Sequence, residues 1–378
     1  MLDDEHRRLP TFRTRSRETV PQLPTRSKRI ERKTAMNHVA IDLGGKESQI
    51  CIRQPDGAIV EERKVPTRKL TELVAAWPAS RVVMETSAEA FRIADAALAA
   101  GHQVRVVPGT LVRLLGVGER GVKNDQRDAQ QLSRASWQTD VPSVHIPSQS
   151  ARELKSICGA RDVLVGTRTK LINNVRGWMR TQLWKLRSGT TGTFADRVRA
   201  HAEAVGEPLP EHIERQLRTL SVVIEEVKAA DKQLRTLAGE HKVCCRLMRI
   251  PGIGPVTALR FVATIDEPGR FPTAHRVQSY LGLTPGEHSS SERERRTGIT
   301  KAGPMALRCT LIQAAWATMC LVRTSHPMID WARRLAERRG RPVAAVALAR
   351  KLAGIMFAMW RDGTTYQAKR SAEVIEHS

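Results

Sequence analysis

The sequence predicts an α/β domain followed by an all-α remainder, and three observations carry that reading. Between residues 37 and 107, short runs rich in Val and Ile alternate with turn residues and with stretches of helical periodicity. From about 151 to 240, apolar residues return every seven positions. Beyond 243, longer Ala- and Leu-rich stretches are cut by Gly and Pro.

The chain is organised around residues 38–52, His-Val-Ala-Ile-Asp-Leu-Gly-Gly-Lys-Glu-Ser-Gln-Ile-Cys-Ile. They read as strand, glycine turn and strand, with Asp42 among apolar residues just before Gly44 and Gly45. A carboxylate buried in a strand is costly unless something compensates it. A metal ion is one compensation; a carboxylate capping its own turn is the simpler alternative. Strands are expected at 39–42, 49–53 and 59–64, with Pro55-Asp56-Gly57 turning the chain between the last two. A helix at 70–77 and a strand at 81–85, ending in Glu85, come next. A helix at 91–100 stopped by Gly101 and a strand at 103–107 closed by Pro108 complete the pattern. Three antiparallel strands, then helix, strand, helix and strand, is the order of a mixed sheet with ribonuclease-H-like layout.

Further on, Lys123-Asn-Asp-Gln-Arg-Asp-Ala129 sets Asp125 and Asp128 three residues apart, on one face of a helix. Such a like-charged pair calls for a cation beside it, or for the positive end of a helix, where acids are favoured anyway.

With 378 residues the chain has length for two or three domains. Lys and Arg outnumber Asp and Glu by 62 to 39, a formal charge of +23 and a pI near 10.7. That surface suits a polyanion, nucleic acid above all. Two Tyr and six Phe are too few for base stacking to dominate, so phosphate contacts should. The cysteines at 51, 158, 244, 245, 309 and 320 show no metal-ligand spacing, which argues against structural zinc and for a reducing cytosol. No apolar run is expected to approach 18 residues and no signal peptide opens the chain, so a soluble, cytoplasmic protein without a membrane partner is expected.

The domain expectations follow. Residues 1–35 form a disordered basic arm, with Met36 directly before the first strand as an alternative start. Residues 36–145 form the α/β domain and 146–242 a helical linker. In the linker Ile157, Leu164, Leu171 and Trp178, then after a break at 188–210 Ile213, Leu217, Leu220, Ile224, Val227 and Leu234, favour an antiparallel helical hairpin or a coiled coil between subunits. Arg161, Arg168, Lys170, Arg176 and Arg180 give its first helix a basic face with few acids, expected to bind phosphate, a merely solvated face being the alternative. Residues 243–362 form a helical C-terminal domain, with helices near 304–322, 327–339 and 343–360, and 363–378 a polar tail. Ile250-Pro-Gly-Ile-Gly-Pro255 resembles a helix-hairpin-helix turn, whose glycines, here Gly252 and Gly254, would let backbone N–H groups reach a phosphate. A tight turn between packed helices is the alternative. Ser289, Ser290 and Ser291 sit in an expected loop beside Arg293, Arg295, Arg296 and Lys301, either a nucleophile-and-clamp arrangement or an ordinary flexible serine-rich linker.

Taken together, these segments resemble the DEDD-type transposases of bacterial insertion sequences, the RNA-guided bridge recombinases. The resemblance rests on Val39-Ala-Ile-Asp-Leu-Gly-Gly-Lys46, Val83-Met-Glu85, Lys123–Ala129, the 161–183 helix, Ile250-Pro-Gly-Ile-Gly254, Tyr280-Leu-Gly-Leu-Thr-Pro285 and Gly298-Ile-Thr-Lys-Ala-Gly303. It covers roughly 37–325 in order. It implies a RuvC-like (ribonuclease-H-like) domain, a helical linker and a C-terminal transposase domain. On the family pattern Asp42, Glu85, Asp125 and Asp128 are the acidic tetrad that holds divalent metal, normally magnesium. A serine of the C-terminal domain then attacks a DNA phosphodiester and forms a covalent phosphoserine. Five residues beyond Pro285 is Ser290, the expected nucleophile, with Ser289 next; Glu292 stands where the family commonly has glycine. The resemblance also implies element-end and target DNA, a guide RNA, and a dimer or tetramer associated with the nucleoid.

Three other readings use the same residues differently. A metal-dependent nuclease or junction resolvase would need the four acids but no serine. A sugar-kinase-like ATPase would explain Ile-Asp-Leu-Gly-Gly-Lys, though neither the charge nor a second phosphate loop supports it. A non-catalytic nucleoid-binding protein would have no need for four carboxylates at these positions.

Overall fold

The computed structural model describes residues 36–112, 125–290 and 293–367. The expected basic arm, Ser291 and most of the polar tail lie outside them. The chain divides into two compact units, residues 1–146 and 147–378.

In the first unit the Val/Ile runs form β1 (His38–Asp42), β2 (Glu47–Arg53), β3 (Ile59–Pro66), β4 (Arg81–Glu85) and β5 (Gln103–Val107). They make one sheet in the order β3-β2-β1-β4-β5. The first two pairings are antiparallel and the last two parallel, the mixed layout that the element order predicts. Helices α1 (Leu70–Ala76) and α2 (Ala90–Ala99) supply the crossovers, followed by α3 (Gly109–Val112) and α4 (Asp125–Gln138).

Alternation decides which helix covers which face. Val39, Ile41, Val82, Met84, Val104 and Val106 point to the face packed by Leu70, Val74, Ile93 and Ala97 of α1 and α2. Ala40, Val83 and Val107 point to the other, where Leu132 and Ala135 of α4 close a second core. The central strands are therefore apolar on both faces, while β3 at the edge is largely exposed.

The second unit is mostly helical. Its first helix, α5 (Gln149–Thr181), has 33 residues and a length of about 50 Å. The Ser148 hydroxyl caps its start, accepting from the Ala151 N–H, and Ser148 donates through N–H and O–H to both Asp266 oxygens at 2.9 and 2.6 Å. Helix α7 (Glu211–Glu240) returns antiparallel to α5. Arg161 Nε meets Asp231 Oδ1 at 2.5 Å near one end, and Ile172, Val175 and Met179 pack on Ile213, Leu217 and Leu220 near the other. Between them the expected break at 188–210 contains a further helix, α6 (Phe194–Val205), which the Gly and Thr around it concealed. Phe194 and Val198 fill that end of the core, and Arg199 grips Glu214 with a fork of bonds at 2.7 and 3.1 Å.

The chain continues through α8 (Lys242–Leu247), α9 (Pro255–Ile265), α10 (Ala274–Tyr280), β6 (Pro285–Ser290), β7 (Arg293–Ile299), α11 (Met305–Leu321), α12 (Pro327–Arg339) and α13 (Arg341–Arg361). One apolar core runs from Cys158 of α5 and Leu234 of α7 through α9 and α11 to α13, without a break at residue 242. Buried Arg260 ties three helices together: it donates to Asp162 Oδ1 and Thr310 Oγ1, both at 2.8 Å, and to the Cys158 carbonyl at 3.3 Å.

One sequence expectation is corrected: the serine-arginine segment is not a loop but a two-stranded antiparallel ribbon, β6 with β7. Among the described residues one helix, α13, is long and apolar enough by composition to cross a membrane, with a mean hydropathy of 1.6 over its most apolar 18 residues, although Arg350 and Lys351 interrupt the apolar run. Its apolar length goes into the core, where Leu348, Leu352, Met356 and Phe357 are fully buried.

Candidate nucleic-acid-processing site

Asp42 and Glu85 end β1 and β4, which pair in parallel with Ile41 opposite Met84. One residue further, the two acids stand side by side at the C-terminal edge of the sheet. Both are two residues beyond Ala40 and Val83, so both fall on the α4 face. Helix α4 crosses that face antiparallel to β1, and side-chain contacts fix its course. His38 Nδ1 meets Ser136 Oγ at 3.0 Å, Cys51 Sγ meets Ser133 Oγ at 3.2 Å, and Gln130 donates to Glu62 at 2.8 Å. The helix then reaches Lys64, whose Nζ lies 3.8 Å from Asp125 Oδ2. Lys64 pairs with Gln49 and Gln49 with Asp42, so Asp125 arrives on the cross-strand row that carries Asp42. Eleven helical residues from Ser136 to Asp125 rise about 16 Å and four strand residues from His38 to Asp42 about 13 Å, which agrees.

All four acids thus share one end of one sheet, with Asp125 and Asp128 in the first turn of α4, where the helix dipole favours them. Gly109 leaves room for one of them: a Cβ there would stand 2.5 Å from Glu85 Oε1. Chemically the set is four hard carboxylate donors, which fits magnesium better than any softer ion. Among the described residues, however, no three His, Cys, Asp or Glu side chains stand close enough to hold a metal ion. Sequence reasoning missed Lys64, whose place in the acidic row emerges from strand register alone.

In the second unit Ser290 ends β6 opposite Arg293, Ser289 lies opposite Glu294, and Arg295 and Arg296 face His288 and Glu287. The root of this ribbon is locked. Arg308 on α11, buried, donates from Nη1 to the carbonyls of Leu281 at 3.0 Å and Ala302 at 2.7 Å. Thr300 N–H donates to the Thr284 carbonyl at 2.9 Å, and Lys301, exposed with φ +56°, donates to Gly282.

The glycine turn at 250–255 divides in two. Gly252, at φ +85°, lies so close to Thr318 of α11 that any Cβ would collide with its side chain. Gly254 caps α9 and faces open space. Along α5, Lys170, Arg176 and Arg180 are exposed. Arg176 lies 5.4 Å from the Phe194 ring, while Arg161 is engaged with Asp231.

A mixed sheet whose parallel strands end in acids, with two more from the helix laid across it, defines a DEDD-type protein of ribonuclease-H-like layout. Comparison with known proteins agrees. A DEDD transposase family model matches residues 39–182, and the model described as the transposase IS116/IS110/IS902 family matches 244–327, together more than half of the chain. The chain is 28% identical over 335 residues to the transposase for insertion sequence element IS1111A of Coxiella burnetii, covering 87% of this chain and 91% of that one. It is 28% identical over 341 residues to a probable family 20 transposase of Pseudomonas aeruginosa, covering 88% and 99%. It is 26% identical over 338 residues to the transposase for insertion sequence element IS1328 of Yersinia enterocolitica, covering 87% and 98%. The chain belongs to the IS110 family of DEDD transposases, enzymes that cut and recombine DNA.

Proposed function

We propose that this transposase excises and inserts its own element by serine attack on DNA phosphodiesters, passing through a covalent phosphoserine. The observation that supports it best is the chain's two-part make-up: a unit with four acids at one sheet edge, and a separate unit presenting consecutive serines on a basic ribbon. In the chemical step one P–O bond forms to Ser290 Oγ as one P–O bond of the DNA breaks; the serine's proton ends on the departing DNA oxygen, which leaves as a free hydroxyl, so the phosphodiester energy is kept. Rejoining reverses the step without ATP. Asp42, Glu85, Asp125 and Asp128 would hold a divalent ion, normally magnesium, that neutralises charge developing on phosphate oxygens. Arg293, Arg295, Arg296 and Lys301 would grip the phosphate.

Lys64 gives Asp125 a positive neighbour when no other cation is near. Lys170, Arg176 and Arg180 along α5, and the open turn at Gly254, would track nucleic-acid backbone, with a steep salt dependence. A structured guide RNA would supply sequence specificity by pairing. A dimer or tetramer in the cytoplasm, on the nucleoid, would bring acids and serine together at each strand.

Replacing Ser289, Ser290 and Ser291 by Ala, one at a time, tests the reading. Loss of strand transfer in Ser290→Ala supports it. Unchanged transfer in all three leaves a metal-dependent nuclease as the better account.

A further inference from the structure

The root of the β6–β7 ribbon borders a cavity of about 940 Å³, within the size range of small-molecule sites. Leu283, Ile299, Pro342 and Val346 make an apolar wall, and Trp331 stands at its side. Arg339, Arg350 and Lys351 bring three cations to the lining, and among the described residues no carboxylate joins them. Among the described residues none of the three is ion-paired with an acid.

Two of the three are held ready. Arg350 Nε donates to Gln278 Oε1 at 3.0 Å while Gln278 Nε2 donates to the Arg350 carbonyl at 3.1 Å. Gly354 gives Gln278 its room, since a Cβ there would stand 2.8 Å from Nε2. Lys351 Nζ lies 4.6 Å from the centre of the Trp331 ring. Two held cations and a third beside them, none ion-paired with an acid among the described residues, next to an apolar wall complement a ligand with one apolar part and one anionic part. A single nucleotide has that chemistry.

We propose that this cavity receives one unpaired DNA nucleotide, its base against the Leu283–Val346 wall and its phosphate on Arg350, with Arg339 and Lys351 at the rim. Strand β6 runs from the cavity wall at Pro285 to Ser290, five residues or about 17 Å. At 3.4 Å per stacked step, the extruded base lies within about five base pairs of the phosphate that the ribbon addresses. Extrusion costs a few kcal/mol in paired DNA and least where the base is already unpaired, so the pocket favours distorted duplexes. The inference rests on the chain acting on DNA and not on which serine attacks.

The test uses the full-length protein and labelled duplexes of equal length, one fully paired and one carrying a single bulged thymidine. Wild type should bind the bulged duplex about tenfold more tightly. Arg350→Gln, which removes the charge, and Ala347→Phe, which fills the cavity, should each abolish that preference while leaving affinity for paired DNA and the melting temperature unchanged. Ser290→Ala should keep the preference intact even if it abolishes strand transfer, so the two readings fail separately. Equal binding of both duplexes by wild type overturns the proposal. So does a preference that survives in both variants, or equal preference for a bulged RNA duplex.

Discussion

Asp42 and Glu85 stand side by side at the ends of adjacent parallel strands, one residue past the pairing of Ile41 with Met84. Two carboxylates in that position repel unless a cation or a proton intervenes. If they hold a metal, Asp42→Asn and Glu85→Gln preserve shape and lose ligand charge. Each should lower strand transfer by at least about a hundredfold with little change in melting temperature. Parallel activity and thermal-melt measurements check both halves, and a chelator should reproduce the loss in wild type.

His38 offers a pH test. Burial, then the positive charges of Arg81 and Arg53, push its imidazole down to about 4 from 6.5, against the opposing bond to Ser136. Below pH 6.5 the unfolded chain takes up a proton that the folded chain refuses. Stability therefore falls as pH drops from 6.5 towards 4, by about 3 kcal/mol in all, and this group adds nothing above 6.5. Melting temperatures should decline across that window in wild type, with a visibly flatter decline in His38→Asn.

Arg308 holds two carbonyls of crossing segments, Leu281 and Ala302, with one buried guanidinium. Arg308→Met keeps the volume and leaves both carbonyls without that donor, costing about 2–4 kcal/mol. Hydrogen exchange should quicken at Thr300 and Lys301, whose N–H groups pair across the same root.

Gly252 separates two accounts of the 250–255 turn. At φ +85° and against Thr318, a methyl group must displace α11, so Gly252→Ala should cost about 2 kcal/mol or more. Gly254→Ala meets open space. It should leave stability nearly unchanged and weaken DNA binding if backbone there approaches phosphate; equal DNA affinity in Gly254→Ala would remove the turn from the interface.

Strands β1, β2, β4 and β5 were legible because they are buried on one or both faces and so carry Val/Ile runs, with Gly101 and Pro108 as stops. Asp42 and Glu85 were legible because carboxylates interrupt those runs at strand ends, Asp125 and Asp128 because their spacing puts both on one helix face. The ribbon at 285–299 was not, since Pro-Gly-Glu-His-Ser-Ser and Arg-Glu-Arg-Arg-Thr-Gly-Ile carry no alternating apolar face to reveal a strand. Helix α6 hid behind Gly189, Gly192 and their threonines. The cavity cations come from two helices, Arg339 from the end of α12 and Arg350-Lys351 from within α13, and meet only in the packed structure; Arg350-Lys351 inside an apolar helix was the one available signal.

A covalent serine intermediate can be trapped as a protein–DNA adduct. Full-length protein, its element-end DNA, magnesium and any RNA encoded beside the element are combined, denatured, digested and analysed by mass spectrometry. A DNA phosphate is expected on the peptide spanning Ser289–Ser291, at Ser290, absent from Ser290→Ala and from Asp42→Asn. Cleaved DNA with free ends, no protein adduct and no dependence on any of the three serines would contradict it.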